Sequence, residues 1–284
     1  MVNRLISITH GDITIDGKSI RSLGLTELRR GIGYVFQQIG LFPHMTVESN
    51  IGSVPRLLGW SKTRIHDRAR ELLELVGLDP DGDLKRYPGE FSGGQQQRIG
   101  VARAMAADPQ IMLMDEPFGA IDPIARDRLQ NDFLRLHRQV RKTVIFVTHD
   151  IDEALKMGDK IAIMRDGHLV QLATADELLA SPADEFVARF VGEDRGLKRL
   201  RVRSCSDLEL DPPAPGDLPL VSSDTSLHTA LSSMLAEGLT QINVSGEDGQ
   251  PVGSVHFDAI ARLVAPTDGS GSAQVPPAAE SGTR

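Results

Sequence analysis

Two carboxylates stand directly after an apolar segment of strand length near the middle of the chain. Asp115 and Glu116 follow the run Ile-Met-Leu-Met at 111–114. A carboxylate at the end of a buried strand is costly to desolvate. Such a pair is therefore expected where it binds a cation or a reactive water. The structural alternative is that the pair caps the N-terminus of a helix. His149 follows a second apolar segment at 144–147, where packing or capping is the alternative role. The two segments therefore offer candidate groups for acid–base chemistry.

A pair of glycines opens a predicted helix upstream of these carboxylates. The string reads Phe-Ser-Gly-Gly-Gln-Gln-Gln-Arg at 91–98, with Ser92 at an N-cap position and Gln95 three residues later. That spacing is typical of a capping box. It also fits a phosphate site, because Gly93 and Gly94 let the backbone come close to an anion, and the free N–H groups of a helix N-terminus attract it.

A mostly parallel sheet would position these groups. The segments 111–114 and 144–147 are predicted as strands, and residues 126–140 between them carry a helical pattern of apolar side chains. Alternation of this kind indicates an α/β fold. Residues 62–76 are predicted as a further helix, and the dipeptide Asp-Gly at 166–167 predicts a tight hairpin.

Composition limits the classes of protein that fit. Hydrophobic residues make up 40% of the 284 residues and charged residues 25%, which is typical of a globular protein. No run of about 18 apolar residues is present, so no membrane span is predicted. Acidic residues outnumber basic ones by 39 to 31, and aromatic residues are few, so nucleic acid is not expected as a partner. The single cysteine, Cys205, cannot form an internal disulfide, which fits a reducing cytoplasm.

Changes in composition divide the chain into four parts. Residues 1–192 are predicted as one α/β domain. Residues 193–217 carry a basic run and then a proline-rich stretch, and are predicted as a linker. Residues 218–264 form a compact α+β unit with the pattern helix, strand, turn, strand, helix. Residues 265–284 have low complexity and are predicted to be disordered.

The string at 91–104, FSGGQQQRIGVARA, closely resembles the signature motif of ABC-type ATPases. The resemblance implies that Ser92, Gly93, Gly94 and Gln95 bind the γ-phosphate of an ATP held by the opposite subunit. The segment IMLMDEP resembles the Walker B strand of the same family. By that resemblance Asp115 helps to hold Mg²⁺, and Glu116 positions and polarises the attacking water as general base.

Three further motifs follow the order and approximate spacing of the family. His149 matches the switch histidine, which contacts the γ-phosphate. Gln37 resembles the glutamine of the Q-loop, which reaches Mg²⁺ and the water and whose loop responds to the membrane subunits. Asp122, in Gly-Ala-Ile-Asp-Pro at 119–123, resembles the D-loop, which packs across the subunit interface. Each motif alone is weak evidence, but five motifs in the order of the family make the resemblance specific over residues 1–192. The resemblance implies ATP and Mg²⁺ as cofactors.

The phosphate-binding loop of this family is not found in the sequence. A P-loop needs G-x-x-x-x-G-K-[S/T], and the nearest string, Asp-Gly-Lys-Ser at 16–19, has Asp12 where the first glycine should be. Its lysine, Lys18, lies between two strand patterns and is expected in an ordinary hairpin. We therefore expect the P-loop upstream of Met1, with residues 1–6 as the end of its helix, and poor ATP binding by the chain as written. A natural remnant is the alternative.

Within the family, the strings around the Q-loop, signature and D-loop resemble the importers of glycine betaine, choline, carnitine and proline. Residues 191–204 resemble the same subgroup, and residues 218–264 resemble a single CBS motif, with a small packing unit as the alternative. The resemblance implies a second ATPase subunit, transmembrane permease subunits and, indirectly, a substrate-binding protein as partners, with the chain peripheral on the cytoplasmic face of the membrane. The competing functions are an importer for a polyamine or a sugar and a catalytically defective regulatory module.

Overall fold

The computed structural model describes residues 1–36, 40–119, 121–140, 142–216, 218–246 and 248–264. They form two compact units, the first over Met1–Glu153 and the second starting at Ala154. The tail predicted to be disordered, 265–284, lies outside the described residues, as does Gln37. Within the described residues, every helix is too short or too polar to cross a bilayer.

The first unit contains five strands and seven complete helices among its described residues. The strands are β1 (Thr14–Ile15), β2 (Lys18–Ser19), β3 (Ile32–Val35), β4 (Ile111–Asp115) and β5 (Thr143–Val147). The helices are α1 (Leu25–Arg30), α2 (Val47–Ile51), α3 (Ser53–Leu57), α4 (Lys62–Leu75), α5 (Pro80–Asp83), α6 (Gly93–Met105) and α7 (Pro123–Val140). A short 3₁₀ turn lies at Pro88–Glu90, and α8 (Ile151–Met157) begins at the end of the unit.

A parallel sheet lies at the centre of the first unit, as the sequence predicted. Its order is β3-β4-β5, and Ile111 of β4 stands opposite both Ile32 and Thr143. In β4 the buried side chains are Met112 and Met114, which pack against the helices. All three strands run the same way, so their carboxyl ends meet at one edge of the sheet.

Helices α4 and α6 supply much of the core beside the sheet. Ser61 caps α4 by accepting a hydrogen bond from the Arg64 N–H, and Gly77 follows its end with a φ of +71°. The predicted helix at 62–76 is therefore confirmed. Leu72, Leu73 and Ile99 are fully buried and belong to one apolar cluster with the sheet.

The first residues of the chain do not form the helix predicted at 1–6. They make a turn closed by a hydrogen bond from the Arg4 N–H to the Met1 carbonyl, and Arg4 has a φ of +51°. Six residues are too few to nucleate a helix without a packing partner, which explains the error. The predicted hairpin is confirmed, because β1 and β2 pair antiparallel with Lys18 opposite Ile15.

The second unit holds a hairpin, a three-stranded sheet and several helices. The strands are β6 (Ile161–Arg165), β7 (His168–Ala173), β8 (Leu220–Ser222), β9 (Gln241–Ser245) and β10 (Pro251–His256). The helices are α9 (Ala175–Ala180), α10 (Glu185–Val191), α11 (Arg195–Val202), α12 (Leu227–Glu237) and α13 (Phe257–Val264). The predicted hairpin at 166–167 is confirmed between β6 and β7. Strands β8 and β9 are parallel, and β9 and β10 antiparallel, so the unit from 218 onward is α+β.

The segment predicted as a linker, 193–217, differs from that expectation. It contains helix α11 and a 3₁₀ turn at Cys205–Asp207. Leu200 and Cys205 are fully buried in the same apolar cluster as Met234 and Ile242. The periodic leucines among the arginines give α11 an apolar stripe, which packs as a helix does. The boundaries of the domains remain a prediction.

Candidate functional site

The carboxyl ends of β4 and β5 bring together the acidic pair and the histidine. The Glu116 N–H donates a hydrogen bond to the Val147 carbonyl at 2.9 Å, which extends the pairing of the two strands by one residue. His149 follows Val147 by two residues. Its Nδ1 lies 3.1 Å from Oε1 of Glu116. The pairing of two adjacent parallel strands therefore places a carboxylate against an imidazole.

The two side chains differ in their exposure to solvent. The Glu116 side chain is 25% exposed, whereas that of His149 is 75% exposed. The carboxylate is thus sheltered, and the imidazole covers it from the solvent side. A partly shielded carboxylate in contact with an imidazole can take a proton from a water held at the same edge of the sheet.

The backbone at Glu116 adopts a left-handed conformation, with a φ of +42°. Residues other than glycine rarely adopt this region, and such strain costs on the order of 1–3 kcal/mol. The conformation is held from both sides, because the Glu116 N–H bonds to Val147 and its carbonyl accepts a hydrogen bond from Gly119 at 3.1 Å. The turn directs the Glu116 side chain toward His149 rather than along the strand.

Asp115 ends β4 one residue earlier and faces a different neighbour. Burial raises the pKa of the Tyr34 phenol, and the nearby negative charge of Asp115 raises it further. Both side chains line a cavity of about 650 Å³ beside β3, together with Arg103 and the aromatic rings of Phe36 and Phe42. Asp115 therefore presents its carboxylate toward open space on the β3 side.

The glycine pair lies at the N-terminus of α6. Ser92 accepts a hydrogen bond from the Gln95 N–H, and the Gln95 side chain accepts one from the Ser92 N–H at 3.0 Å, so the predicted capping box is confirmed. A Cβ atom built on Gly93 would meet nothing within 4 Å. Packing among the described residues therefore does not require glycine at position 93.

Asp122 caps helix α7. Its Oδ1 accepts a hydrogen bond from the Ala125 N–H at 3.0 Å, so the N-cap interpretation holds for this residue. The described residues of the segment between Glu116 and α7 include Gly119, whose N–H donates to the Glu116 carbonyl at 3.1 Å, and Ile121. The role of this segment at a subunit interface concerns a second copy of the chain and remains a prediction.

The sequence of this chain is similar to those of known proteins over most of its length. The sequence profile described as "ABC transporter" matches residues 1–119. The chain is 46% identical over 259 residues to the glycine betaine uptake system ATP-binding protein YehX of Escherichia coli, with 90% of this chain and 83% of the relative covered.

The chain belongs to the ATP-binding proteins of ABC transporters.

Other ABC relatives are at least as similar in sequence. The osmoprotectant import ATP-binding protein OsmV of Salmonella typhimurium is 53% identical over 255 residues, which cover 90% of this chain and 66% of the relative. The choline transport ATP-binding protein OpuBA of Bacillus subtilis is 47% identical over 261 residues, which cover 92% of this chain and 67% of the relative. The chain spans about two thirds of the length of these two relatives.

Members of the ABC family bind ATP with Mg²⁺, and the donor set at the sheet edge fits that pair. Mg²⁺ is usually held by one or two carboxylates, with phosphate oxygens and waters as the other ligands. Asp115 and Glu116 are consecutive carboxylates at the end of β4, with Asp115 lining the cavity beside β3 and Glu116 against His149. Among the described residues no cluster of three or more potential metal ligands occurs.

The sequence did not predict a set of polar contacts made by side chains of α7. The side chain of Arg126, in the first turn of α7, reaches the carbonyl of Ile121 at 3.1 Å and the carboxylate of Asp150 at 3.5 Å. On the same helix, Gln130 donates to Glu153 at 2.9 Å. The four side chains in these contacts, those of Arg126, Gln130, Asp150 and Glu153, belong to none of the residues assigned a role by the five motifs, and their sequence separation gives no periodic signal.

Proposed function

We propose that this chain is the ATP-hydrolysing subunit of an importer for osmoprotectant quaternary amines such as glycine betaine, choline or carnitine. The ATPase part rests on one observation, the contact between Glu116 and His149 at the ends of adjacent parallel strands. The substrate class rests on OsmV, OpuBA and YehX, whose names describe import of an osmoprotectant, of choline and of glycine betaine.

The chemistry assigned to each residue follows from its place in the fold. When bound, the Mg²⁺–ATP pair supplies the electrophilic γ-phosphate and neutralises its charge. Asp115 would hold the ion from the end of β4. Glu116 would accept a proton from the attacking water, and His149 would orient that carboxylate and donate to a phosphate oxygen. We assign Gln37 to the same ion and water by its motif alone, since it lies outside the described residues.

A second copy of the chain would complete the site. The exposed N–H groups at the start of α6 suit a γ-phosphate bound by the partner subunit, with Ser92, Gly93, Gly94 and Gln95 around it. Asp122 and the rest of segment 119–122 would pack across the same interface. Two copies head to tail would thus sandwich each nucleotide.

The cavity beside β3 is the proposed contact with the permease subunits. Arg103 is 7% exposed, burial lowers its pKa, and its Nη2 has no hydrogen-bond partner within the described residues. The ring centroids of Phe36 and Phe42 each lie 5.9 Å from its guanidinium. An acidic side chain in a short permease helix would satisfy Arg103. This contact would hold the chain at the inner face of the membrane, and the permease would connect it to a substrate-binding protein.

Uptake measurements test the substrate class. Deleting the gene should abolish osmotically stimulated uptake of labelled glycine betaine, choline or carnitine, and should leave uptake of a polyamine and of maltose unchanged. Loss of polyamine or maltose uptake instead would assign the importer to that solute.

The competing function is a non-catalytic ABC-like module, which would have no G-x-x-x-x-G-K-[S/T] string anywhere in its complete gene product. Sequencing the DNA upstream of the Met1 codon separates the two. An in-frame P-loop motif there supports the ATPase, whereas a stop codon without such a motif supports the non-catalytic module.

A further inference from the structure

Arg126 bridges two segments, one that ends at α7 and one that contains His149. Its Nη2 donates a hydrogen bond to the Ile121 carbonyl at 3.1 Å. Its Nη1 lies 3.5 Å from Oδ2 of Asp150, the residue directly after His149. The third nitrogen, Nε, is buried without a hydrogen-bond partner in the part of the chain that the structure describes. One planar guanidinium therefore contacts both segments at once.

Asp150 transmits this contact to the backbone around His149. Its Oδ1 accepts hydrogen bonds from the N–H groups of Asp152 and Glu153 at the start of α8, at 3.0 and 3.3 Å. Its own N–H donates to Oγ1 of Thr148 at 3.0 Å. Asp150 is thus fixed through its backbone and one carboxylate oxygen, which leaves the other oxygen for Arg126.

We propose that Arg126 is a positioning residue that couples the position of Ile121 to that of His149. A shift of Ile121, as would follow from contact with a second subunit, would move the guanidinium and with it Asp150. The imidazole of His149 would then lose or form its 3.1 Å contact with Glu116. The fork of an arginine can hold two acceptors in fixed geometry, which a lysine cannot. This inference rests on the proposed ATPase function for its effect on catalysis, but not for its geometry.

A purely structural role for Arg126 predicts a different result. An ion pair whose side chains are 28% and 38% exposed contributes little to stability. Stability is therefore a poor reason for holding this arginine between two segments. The positioning role predicts a fall in kcat with little change in KM, because ground-state binding of ATP does not use Arg126.

The test compares Arg126→Ala and Arg126→Lys with Arg128→Ala in the complete gene product. Arg128 lies on the same helix and is exposed. We expect both Arg126 variants to lower kcat by about 10- to 100-fold at similar KM, the range for misplacing a catalytic group from outside the site. Arg128→Ala should keep the activity of the parent. Full activity in both Arg126 variants, or a loss in Arg126→Ala that lysine restores, would overturn the proposal.

A double-mutant cycle with Asp150→Asn tests the route of the coupling. Because the two residues act through one contact, the double variant Arg126→Ala/Asp150→Asn should lose no more activity than the worse single variant. Losses that multiply would show that the two residues act independently, which contradicts the proposal.

A readout on the folded chain separates this inference from the proposed function. The ¹⁵N chemical shift of His149 Nδ1 reports its contact with Glu116, and it should move in both Arg126 variants and stay unchanged in Arg128→Ala. If the complete gene product hydrolyses no ATP but the shift moves, the proposed function fails and the positioning role stands. If ATP is hydrolysed and the shift does not move, the positioning role fails.

Discussion

Gln130 donates a hydrogen bond through Nε2 to Oε1 of Glu153 at 2.9 Å, and both side chains are buried. The contact joins the middle of α7 to the first turn of α8, on the same side of the sheet edge as His149. Gln130 is 6% exposed and Glu153 is 5% exposed, so water offers little compensation if either is lost. A buried carboxylate is tolerated when it is hydrogen-bonded, and costs free energy when it is not.

The first prediction concerns this buried pair. Gln130→Leu fills the same space but leaves Glu153 without its donor, so we expect a loss of about 1–3 kcal/mol in the free energy of unfolding. Urea denaturation followed by circular dichroism measures it. Gln139→Leu, at an exposed position of the same helix, is the control and should change stability by less than about 0.5 kcal/mol. Equal stability of Gln130→Leu and the parent would show that the buried bond contributes nothing.

The second prediction separates a functional glycine from a structural one. Because Gly93 has open space around its Cβ position, Gly93→Ala should keep or raise the unfolding free energy, by up to about 1 kcal/mol. ATP hydrolysis by the dimer should nevertheless fall by about 10- to 100-fold, since a methyl group would keep the phosphate from the helix N-terminus. Thermal unfolding and phosphate release measure the two effects.

Gly33 provides the contrast for that prediction. A Cβ atom there would lie 2.5 Å from the Ala104 carbonyl oxygen and 3.0 Å from Pro109 Cγ, so β3 and α6 would have to separate. Gly33→Ala should cost about 1–3 kcal/mol of stability. If Gly93→Ala destabilises the protein as much as Gly33→Ala, the glycine at 93 serves packing rather than phosphate binding.

The third prediction concerns the proposed general base. Glu116→Gln keeps the shape of the side chain but cannot accept the proton, so ATP turnover in the complete gene product should fall by about 100- to 10,000-fold. ATP should still bind and hold two subunits together, which size-exclusion chromatography with ATP detects. Glu237→Gln, at an exposed position in α12, should retain normal turnover. Normal turnover in Glu116→Gln would exclude Glu116 as the base.

The fourth prediction concerns the proposed permease contact. Arg103→Met keeps an apolar stem in the cavity beside β3 and removes a buried charge that has an unsatisfied nitrogen. The unfolding free energy should stay within about 1 kcal/mol of the parent or rise, because exchanging a buried charge for an apolar side chain is often neutral or stabilising. Copurification with the permease should weaken, whereas Arg128→Met should leave it unchanged. Undiminished copurification would place the permease contact elsewhere.

The fifth prediction is a dependence of stability on pH. The Lys142 ammonium, 2.8 Å from Asp108, lowers the pKa of that carboxyl mainly by a side-chain hydrogen bond. A carboxyl whose pKa is lower in the folded state stabilises the protein above its unfolded pKa of about 3.9, and this stability is lost as the pH falls through the folded pKa. Asp108→Asn should therefore be less stable than the parent at neutral pH, and the difference should shrink below about pH 4.

Urea denaturation at several pH values measures that difference. Asp67→Asn, at an exposed position of α4, is the control for removal of an acidic charge. A difference between Asp108→Asn and the parent that is constant over the whole pH range would contradict the assigned cause.

Much of this fold could be predicted because its elements have simple periods. The apolar run before Asp115 predicted β4, and the helical spacing at 62–76 predicted α4. The Asp-Gly dipeptide at 166–167 predicted a hairpin. Strand β8 was missed because three residues carry no alternation that stands out from a loop. Helix α11 was interpreted as part of a linker because most of its residues are basic and only a few leucines carry its apolar periodicity.

The site was predictable as far as its motifs reach. Asp115, Glu116 and His149 were expected in one site because their motifs resemble the Walker B strand and the switch histidine of ABC-type ATPases. The bridge from Arg126 to Asp150 could not be predicted, since it joins a residue of α7 to the residue just before α8, and the sequence does not show these positions to be adjacent. The left-handed backbone at Glu116 was also not predictable, because the conformation is held by a hydrogen bond from the Glu116 N–H to the Val147 carbonyl and another from the Gly119 N–H to the Glu116 carbonyl.

Cys205 is the only cysteine of the sequence, and it is fully buried in the second unit, where burial raises the pKa of its thiol. Maleimide reagents attack an accessible thiolate, so the native thiol should remain unlabelled while the protein is folded. A cysteine introduced at an exposed position such as Arg128 would then be the single reactive one. Dyes or spin labels could be attached there without removing the native residue, and distances between two labelled copies could be followed as ATP is added.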